Sequence, residues 1–106
     1  MAARIRPVIW ATGASAALDE VVAYVARDSP QAAVDFLERA LQVADSLSML
    51  PERGRVVPEL RTRNVREVFV HRYRLLYRVD ETRIVVIAFI HGSRDFADWR
   101  REQESR

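Results

Sequence analysis

The spacing of apolar positions changes character several times along the chain. Residues 4–10, RIRPVIW, read as a short strand, and Pro7 within it cannot donate to a ladder, which places that strand at a sheet rim. Leu18, Val21, Val22 and Val25 then recur at helical spacing, predicting a helix over about 16–27 with Ser15 as its N-cap and Asp19 and Glu20 in its first turn. Ser29 followed by Pro30 is a second helix start, because proline at the first helical position gives up an N–H that has no helical partner. Ala33, Phe36, Leu37, Ala40, Leu41, Ala44 and Leu47 carry that helix to about residue 49, and Pro51 closes it. The short connection makes the two helices antiparallel neighbours.

From residue 65 the period drops to two. Strands are predicted at 65–70, 72–79 and 83–90, after a loop over 51–64 punctuated by Pro51, Gly54 and Pro58. In HRYRLLYRV, residues 71–79, one face carries His71, Tyr73, Leu75, Tyr77 and Val79, and the other carries Arg72, Arg74, Leu76 and Arg78. The last strand is apolar on both faces, Ile84, Val86, Ala88 and Ile90 on one and Val85, Ile87 and Phe89 on the other, the pattern of a covered central strand. The expected architecture is α+β in the order β-α-α-β-β-β: a helical hairpin on one antiparallel four-stranded sheet with strand order 1-4-3-2. It forms one domain over residues 1–96, with a polar tail at 97–106 that frays or forms a short helix and whose Trp99 is expected to fold back on the core. The helices cover one sheet face, so the other needs the loop, the tail or a partner.

Composition narrows the chemistry. The chain has 106 residues and no cysteine, so disulfides and thiolate metal sites are excluded, and two histidines do not make a zinc site unaided. No metal or cofactor is expected. No apolar run is long enough to span a membrane. The opening MAARIRPVIWATGASAALD imitates a weak signal peptide, but Thr12, Gly13 and Ser15 interrupt it, and a cytoplasmic location is expected. All 17 basic residues are arginine. Residues 1–50 hold four arginines against six acids, whereas residues 51–78 alone hold eight arginines against Glu52, Glu59 and Glu67. That asymmetry points to an anionic partner, nucleic acid or an acidic protein segment. The arginine row of 72–78 is either a solvated sheet face or a contact surface, and Leu76 within it suits a protein-binding groove better than a phosphate-reading face.

The segments ALDEVVAYVARDSPQAAVDFLERA, LPERGRVVPEL, NVREVFVHRYRLLYRV and AFIHGSRDF together resemble the RelE/ParE superfamily of toxins from type II toxin–antitoxin systems, with HGSRD closer to the ParE branch. The resemblance implies a bacterial growth inhibitor neutralised by a cognate antitoxin encoded nearby, forming a hetero-oligomer with it. For ParE-like members the implied target is DNA gyrase, reached by contact and without bond-making chemistry. Arg72, Arg74, Leu76, Arg78 and Arg94 are then the expected antitoxin- or target-binding residues. The alternative, a RelE-like ribosome-dependent mRNA endonuclease, would need Arg74 as phosphate clamp, His91 as acid or base and Arg94 as second cation, converging on one pocket. RelE-type nucleases also carry a tyrosine near the C-terminus, where this chain has Phe96 and Trp99. A further alternative is a non-toxic relative that only binds antitoxin.

Overall fold

The structure is a computed structural model and describes residues 5–60 and 62–104. Its elements are β1 (Val8–Trp10), α1 (Thr12–Ala26), α2 (Pro30–Ser46), β2 (Arg55–Val56), β3 (Val65–Val70), β4 (Tyr73–Val79), β5 (Ile84–His91) and α3 (Phe96–Glu104). The sheet order is β1-β5-β4-β3-β2. The four strands read from the sequence sit in the expected order, but the sheet is neither four-stranded nor wholly antiparallel: β2 is a fifth strand, and β1 pairs with β5 in parallel. One feature explains both departures. β2 runs antiparallel to β3 along its outer rim, so the segment after α2 carries the chain back along the sheet before β3 begins. Strand β3 thus starts from the same end as β1, and so does β5 after the β3–β4–β5 meander.

Two helix boundaries differ in an instructive way. Helix α2 begins as expected, with the Ser29 hydroxyl accepting the Ala32 N–H at 3.1 Å and Pro30 in the first turn. Helix α1 begins at Thr12, not after Ser15; Ala11 is its N-cap and offers no side-chain cap, and Asp19 and Glu20 lie beyond the first turn. Ala11 is held instead by the sheet, since its N–H donates to the Val86 carbonyl at 2.9 Å. The strand expected over 4–10 is ordered as β1 only from Val8, and Arg4 lies outside the described residues.

The helical hairpin packs on the front of the sheet. Leu18, Phe36, Ala40, Val43, Leu47, Val70, Leu75, Tyr77, Ile84, Val86 and Phe89 form this core. Phe36 stacks on His71 at 5.3 Å and meets Tyr73 and Phe89 edge-on at 5.7 and 6.1 Å. A smaller core lies on the back, where Val65, Leu76, Ala88 and Ile90 are covered by Val57 and Leu60 of the loop and Phe96 and Trp99 of α3. The loop and tail therefore supply much of the back cover themselves. Val85 and Ile87 remain half-buried beside Ile9 of the rim strand, which is 44% exposed.

Strand β5 corrects the simple alternation. Leu76 pairs with Ala88 and Tyr77 with Val86, so Ile87 is an extra residue, a β-bulge. The face assignment flips across it: Ile84, Val86 and Phe89 face front, whereas Ala88 and Ile90 face back.

Tyr77 ties the loop to the front core. Its buried hydroxyl donates to the Pro51 carbonyl at 2.8 Å and accepts the Gly54 N–H at 2.8 Å, and burial raises its pKa. Gly54 is glycine for reasons of space: a Cβ there would lie 2.7 Å from that hydroxyl and closer still to the Glu67 carbonyl. Tyr77→Phe should lower unfolding free energy by about 1–3 kcal/mol, since it orphans a buried donor and an acceptor while keeping the ring. Urea denaturation checks this, and an unchanged midpoint would show that water replaces the hydroxyl.

Candidate functional site

Arg74 projects from the back of β4, opposite Phe69 of β3 and Ile90 of β5. It is not solvated. Its side chain is 6% exposed, and that of Glu67 is fully buried. Arg74 Nε donates to Glu67 Oε1 at 2.6 Å, and Nη1 and Nη2 donate to Glu59 Oε2 and Oε1 at 2.9 and 3.0 Å. Nη1 also reaches the Arg94 carbonyl at 3.0 Å. Glu67 takes a second guanidinium, Arg55 Nε, at 2.6 Å, and Glu59 accepts the Phe96 N–H at 3.1 Å. The planar fork of arginine permits this; a lysine ammonium could not engage both carboxylates with the same geometry. Glu59 is held at a pKa of about 2, chiefly by its hydrogen bonds from Arg74, against the opposing cost of burial and with help from the Phe96 N–H. The same carboxylates raise the pKa of Arg74.

His91 ends β5 on the other side. It is the cross-strand partner of Tyr73, whose ring it meets edge-on at 5.5 Å. Directly paired residues share a face, and Tyr73 belongs to the front. Arg74, the next residue, faces back. His91 is exposed; its Nδ1 accepts the Ser93 N–H at 3.2 Å and lies 2.7 Å from the Ser93 hydroxyl. Arg94 turns its carbonyl to Arg74 and its guanidinium to Glu102. The three residues a nuclease would need are thus separated: one buried and doubly paired at the back, one exposed at the front, one engaged by α3. A cavity of about 240 Å³ between α1 and α3 includes Arg94 but neither His91 nor Arg74.

The remaining predicted contact residues fall into three environments. Leu76 is fully buried under the loop and α3, so it lines no groove of the free chain. Arg78 is paired with Asp80 at 2.7 Å, which raises the pKa of the arginine and lowers that of the aspartate. Arg72, at the β3–β4 turn, is exposed and its side chain has no partner among the described residues. Its carbonyl is engaged, accepting the Gly92 N–H at 2.7 Å; a Cβ on Gly92 would lie 2.8 Å from that oxygen, so close approach accounts for this glycine. Sequence reasoning missed Glu59, Glu67 and Arg55. The signal for Glu67 was its position between Val65 and Phe69 on the same face of a strand, diagonal to Arg74 once the two strands are paired as a hairpin.

A mixed five-stranded sheet, clasped by a helical hairpin in front and a loop with a short helix behind, defines an α+β protein in which Arg74, His91 and Arg94 do not converge on one pocket. The family model of the ParE toxin of type II toxin–antitoxin systems, parDE, matches residues 8–96, and the chain belongs to that family. A search of curated proteins finds no match. Among solved structures, a chain of the chromosomal ParDE toxin–antitoxin system from P. aeruginosa is similar, with a TM-score of 0.67 and 19% identity over 83% of this chain and 97% of that one.

Two outcomes follow from the back-face network. Arg74→Met leaves two carboxylates beside an apolar core and should cost about 3–5 kcal/mol in denaturant unfolding; adding Glu67→Leu should recover part of that loss. The second outcome concerns acid. The folded-state pKa of Glu59 lies below its ordinary value of 4.5, so its contribution is complete above pH 4.5 and is lost as pH falls through about 2. Thermal melting of Glu59→Gln should therefore start lower at neutral pH and converge with the parent between those values. Parallel curves would remove Glu59 from the acid response.

Proposed function

We propose that this chain is the toxin of a type II pair that arrests bacterial growth by binding DNA gyrase, is neutralised by a cognate antitoxin in a hetero-oligomer, and acts in the cytoplasm. Membership of the ParE toxin family supports the toxin–antitoxin setting. The observation that carries the choice of contact over catalysis is the placement of Arg74 and His91 on opposite faces of the sheet, with the arginine already neutralised by two carboxylates. A phosphate clamp must present its guanidinium to the substrate, and the Arg74 fork is occupied. Arg72, Arg78 and Arg94 remain on the surface as contact residues, Arg72 without an intramolecular partner among the described residues. The half-buried Val85 and Ile87 with exposed Ile9 offer the antitoxin an apolar strip on the back of the sheet. Among the described residues no helix is long and apolar enough to cross a membrane.

His91→Gln separates the readings. General acid–base catalysis contributes about 10²–10⁴-fold in rate, so a nuclease relying on His91 should lose its effect, whereas a contact inhibitor should keep most of it. At matched expression in a bacterial host, growth arrest with gyrase-linked DNA breaks and intact mRNA is expected for both parent and variant. Arrest lost in a well-folded variant, with translated mRNA cleaved by the parent, would assign the chain to the ribosome-dependent endonucleases. A folded parent that binds antitoxin but arrests nothing would be the non-toxic relative.

A further inference from the structure

The arginines of the second half divide into two sets. Most pair with a carboxylate, as Arg74, Arg78, Arg83, Arg94 and Arg100 do. Arg53, Arg63, Arg66 and Arg72 have no carboxylate partner among the described residues. Three of these four, Arg53, Arg63 and Arg66, gather at one corner of the sheet, where β3 begins and β4 ends. His91 and Arg72 stand at the opposite end.

The corner is held by backbone and by Tyr77. Arg66 shares the front face with its cross-strand partner Tyr77. Its Nη1 donates to the Gly54 carbonyl at 2.8 Å, and the Gly54 N–H donates to the Tyr77 hydroxyl at 2.8 Å. Arg53, the residue before Gly54, is exposed and donates to the Ser46 hydroxyl at 2.6 Å. Burial raises the Tyr77 pKa; the Gly54 N–H and the charges of Arg66 and Arg53 oppose it, and Glu52 adds to it, so these three charged groups surround one loop. Arg63 is exposed and its side chain has no partner among the described residues. Asn64 is anchored by its carbonyl, which accepts the Val79 N–H at 2.7 Å. The Thr62 hydroxyl donates to Asn64 Oδ1, so the amide N–H groups of Asn64 stay free among the described residues. Glu52, Arg63, Asn64, Arg66 and Val79 line a cavity of about 330 Å³.

The lining presents two guanidinium groups and a carboxamide N–H pair against one carboxylate, Glu52, which has no ion-pair partner among the described residues. Guanidinium groups offer paired donors that match phosphate oxygens. No ring lines the cavity, whereas sites for single-stranded nucleic acid rely on aromatic platforms for the bases. An acidic protein segment would find Val79 as its single apolar contact there, whereas protein interfaces have an apolar core. We infer that this corner is a phosphodiester-binding site, with Arg63, Asn64 and Arg66 holding a backbone phosphate of duplex DNA and Arg53 meeting a neighbouring one. Binding breaks no existing ion pair. Contacts of this kind position a protein on DNA without reading its sequence. The inference deepens the proposed function, because a toxin bound to gyrase would also touch the DNA that the enzyme holds. Only the identity of that DNA rests on the gyrase reading; the site is testable without it.

The test is fluorescence anisotropy of the full chain with a short labelled duplex over a series of salt concentrations. Each neutralised phosphate contributes about −0.9 to the slope of log K against log salt, so three arginines predict a slope of about −2 to −3. Duplexes of different sequence should give the same slope. Arg63→Gln and Arg66→Gln should each reduce its magnitude by about one. Arg63 has no intramolecular partner to lose among the described residues, so its variant keeps the test free of a folding defect. Arg100→Gln, in α3, should leave the slope unchanged, and Glu52→Gln should tighten binding about two- to fivefold. Equal slopes for the parent and Arg63→Gln, tighter binding of a single strand than of the duplex, or tighter binding of a polyglutamate peptide at the same salt would each overturn the inference. Growth arrest is scored separately. A chain that binds duplex through this corner but arrests nothing loses the toxin reading alone, and one that arrests growth without binding duplex loses this inference alone.

Discussion

Everything on the back of this sheet depends on one guanidinium. Arg74 joins β4 to Glu67 of β3, to Glu59 of the loop and to the Arg94 carbonyl that leads into α3. Burying a charge costs several kcal/mol unless each donor finds an acceptor. The cost is offset here because two carboxylates take the fork and Arg55 balances the second of them. Such an arrangement also fixes register. A one-residue slip of β3 against β4 would move Glu67 to the front and leave Arg74 with half its partners. Loop and α3 are therefore anchored through polar geometry, while Val57, Leu60, Phe96 and Trp99 add the apolar cover.

This use of charge constrains function. Arg74 is committed to two carboxylates, one buried and one half-buried, and His91 stands on the other face of the sheet. The electrostatics left over for a partner are those the fold does not neutralise. They lie on the surface, at Arg72 and along the β2–β3 rim. The family match and the geometry thus bear on different questions: one gives the toxin class, the other which charges the fold leaves on its surface.

Much of the fold was legible because local signals agreed. Ser29–Pro30 marked a helix start, the period-two pattern of 72–79 put Tyr73, Leu75 and Tyr77 under the helices, and Trp99 did return to the core. What escaped was whatever depends on distant partners. Periodicity assigned Arg74 and Leu76 to the face opposite the helices, but it could not tell a solvated face from one covered by 51–64. The bulge at Ile87 was invisible because β5 is apolar at every position from Ile84 to Ile90, so no polar residue marked the change of face. Helix α1 starts early because Ala11 is fixed by Val86 of a neighbouring strand, which outweighs the capping preference of Ser15.

The same dependence explains why the arginine row could not be read as a unit. Arg72, Arg74 and Arg78 alternate along the sequence as one face of a strand would and share a residue type, yet the structure gives each a different environment. Arg74 lies mid-strand, within reach of Glu67 on the neighbouring strand and of a loop that crosses above it. Arg78 lies near the β4 exit and finds Asp80 two residues on, a local pairing that needs no tertiary partner. Arg72 lies in the turn itself, beyond the last paired residues Val70 and Tyr73, where neither the neighbouring strand nor the loop supplies an acid. Position along the strand, rather than the face, decides which cation the fold consumes. A charge at a hairpin tip is left for solvent or a partner, whereas the same side chain a pair of residues inward becomes part of the core.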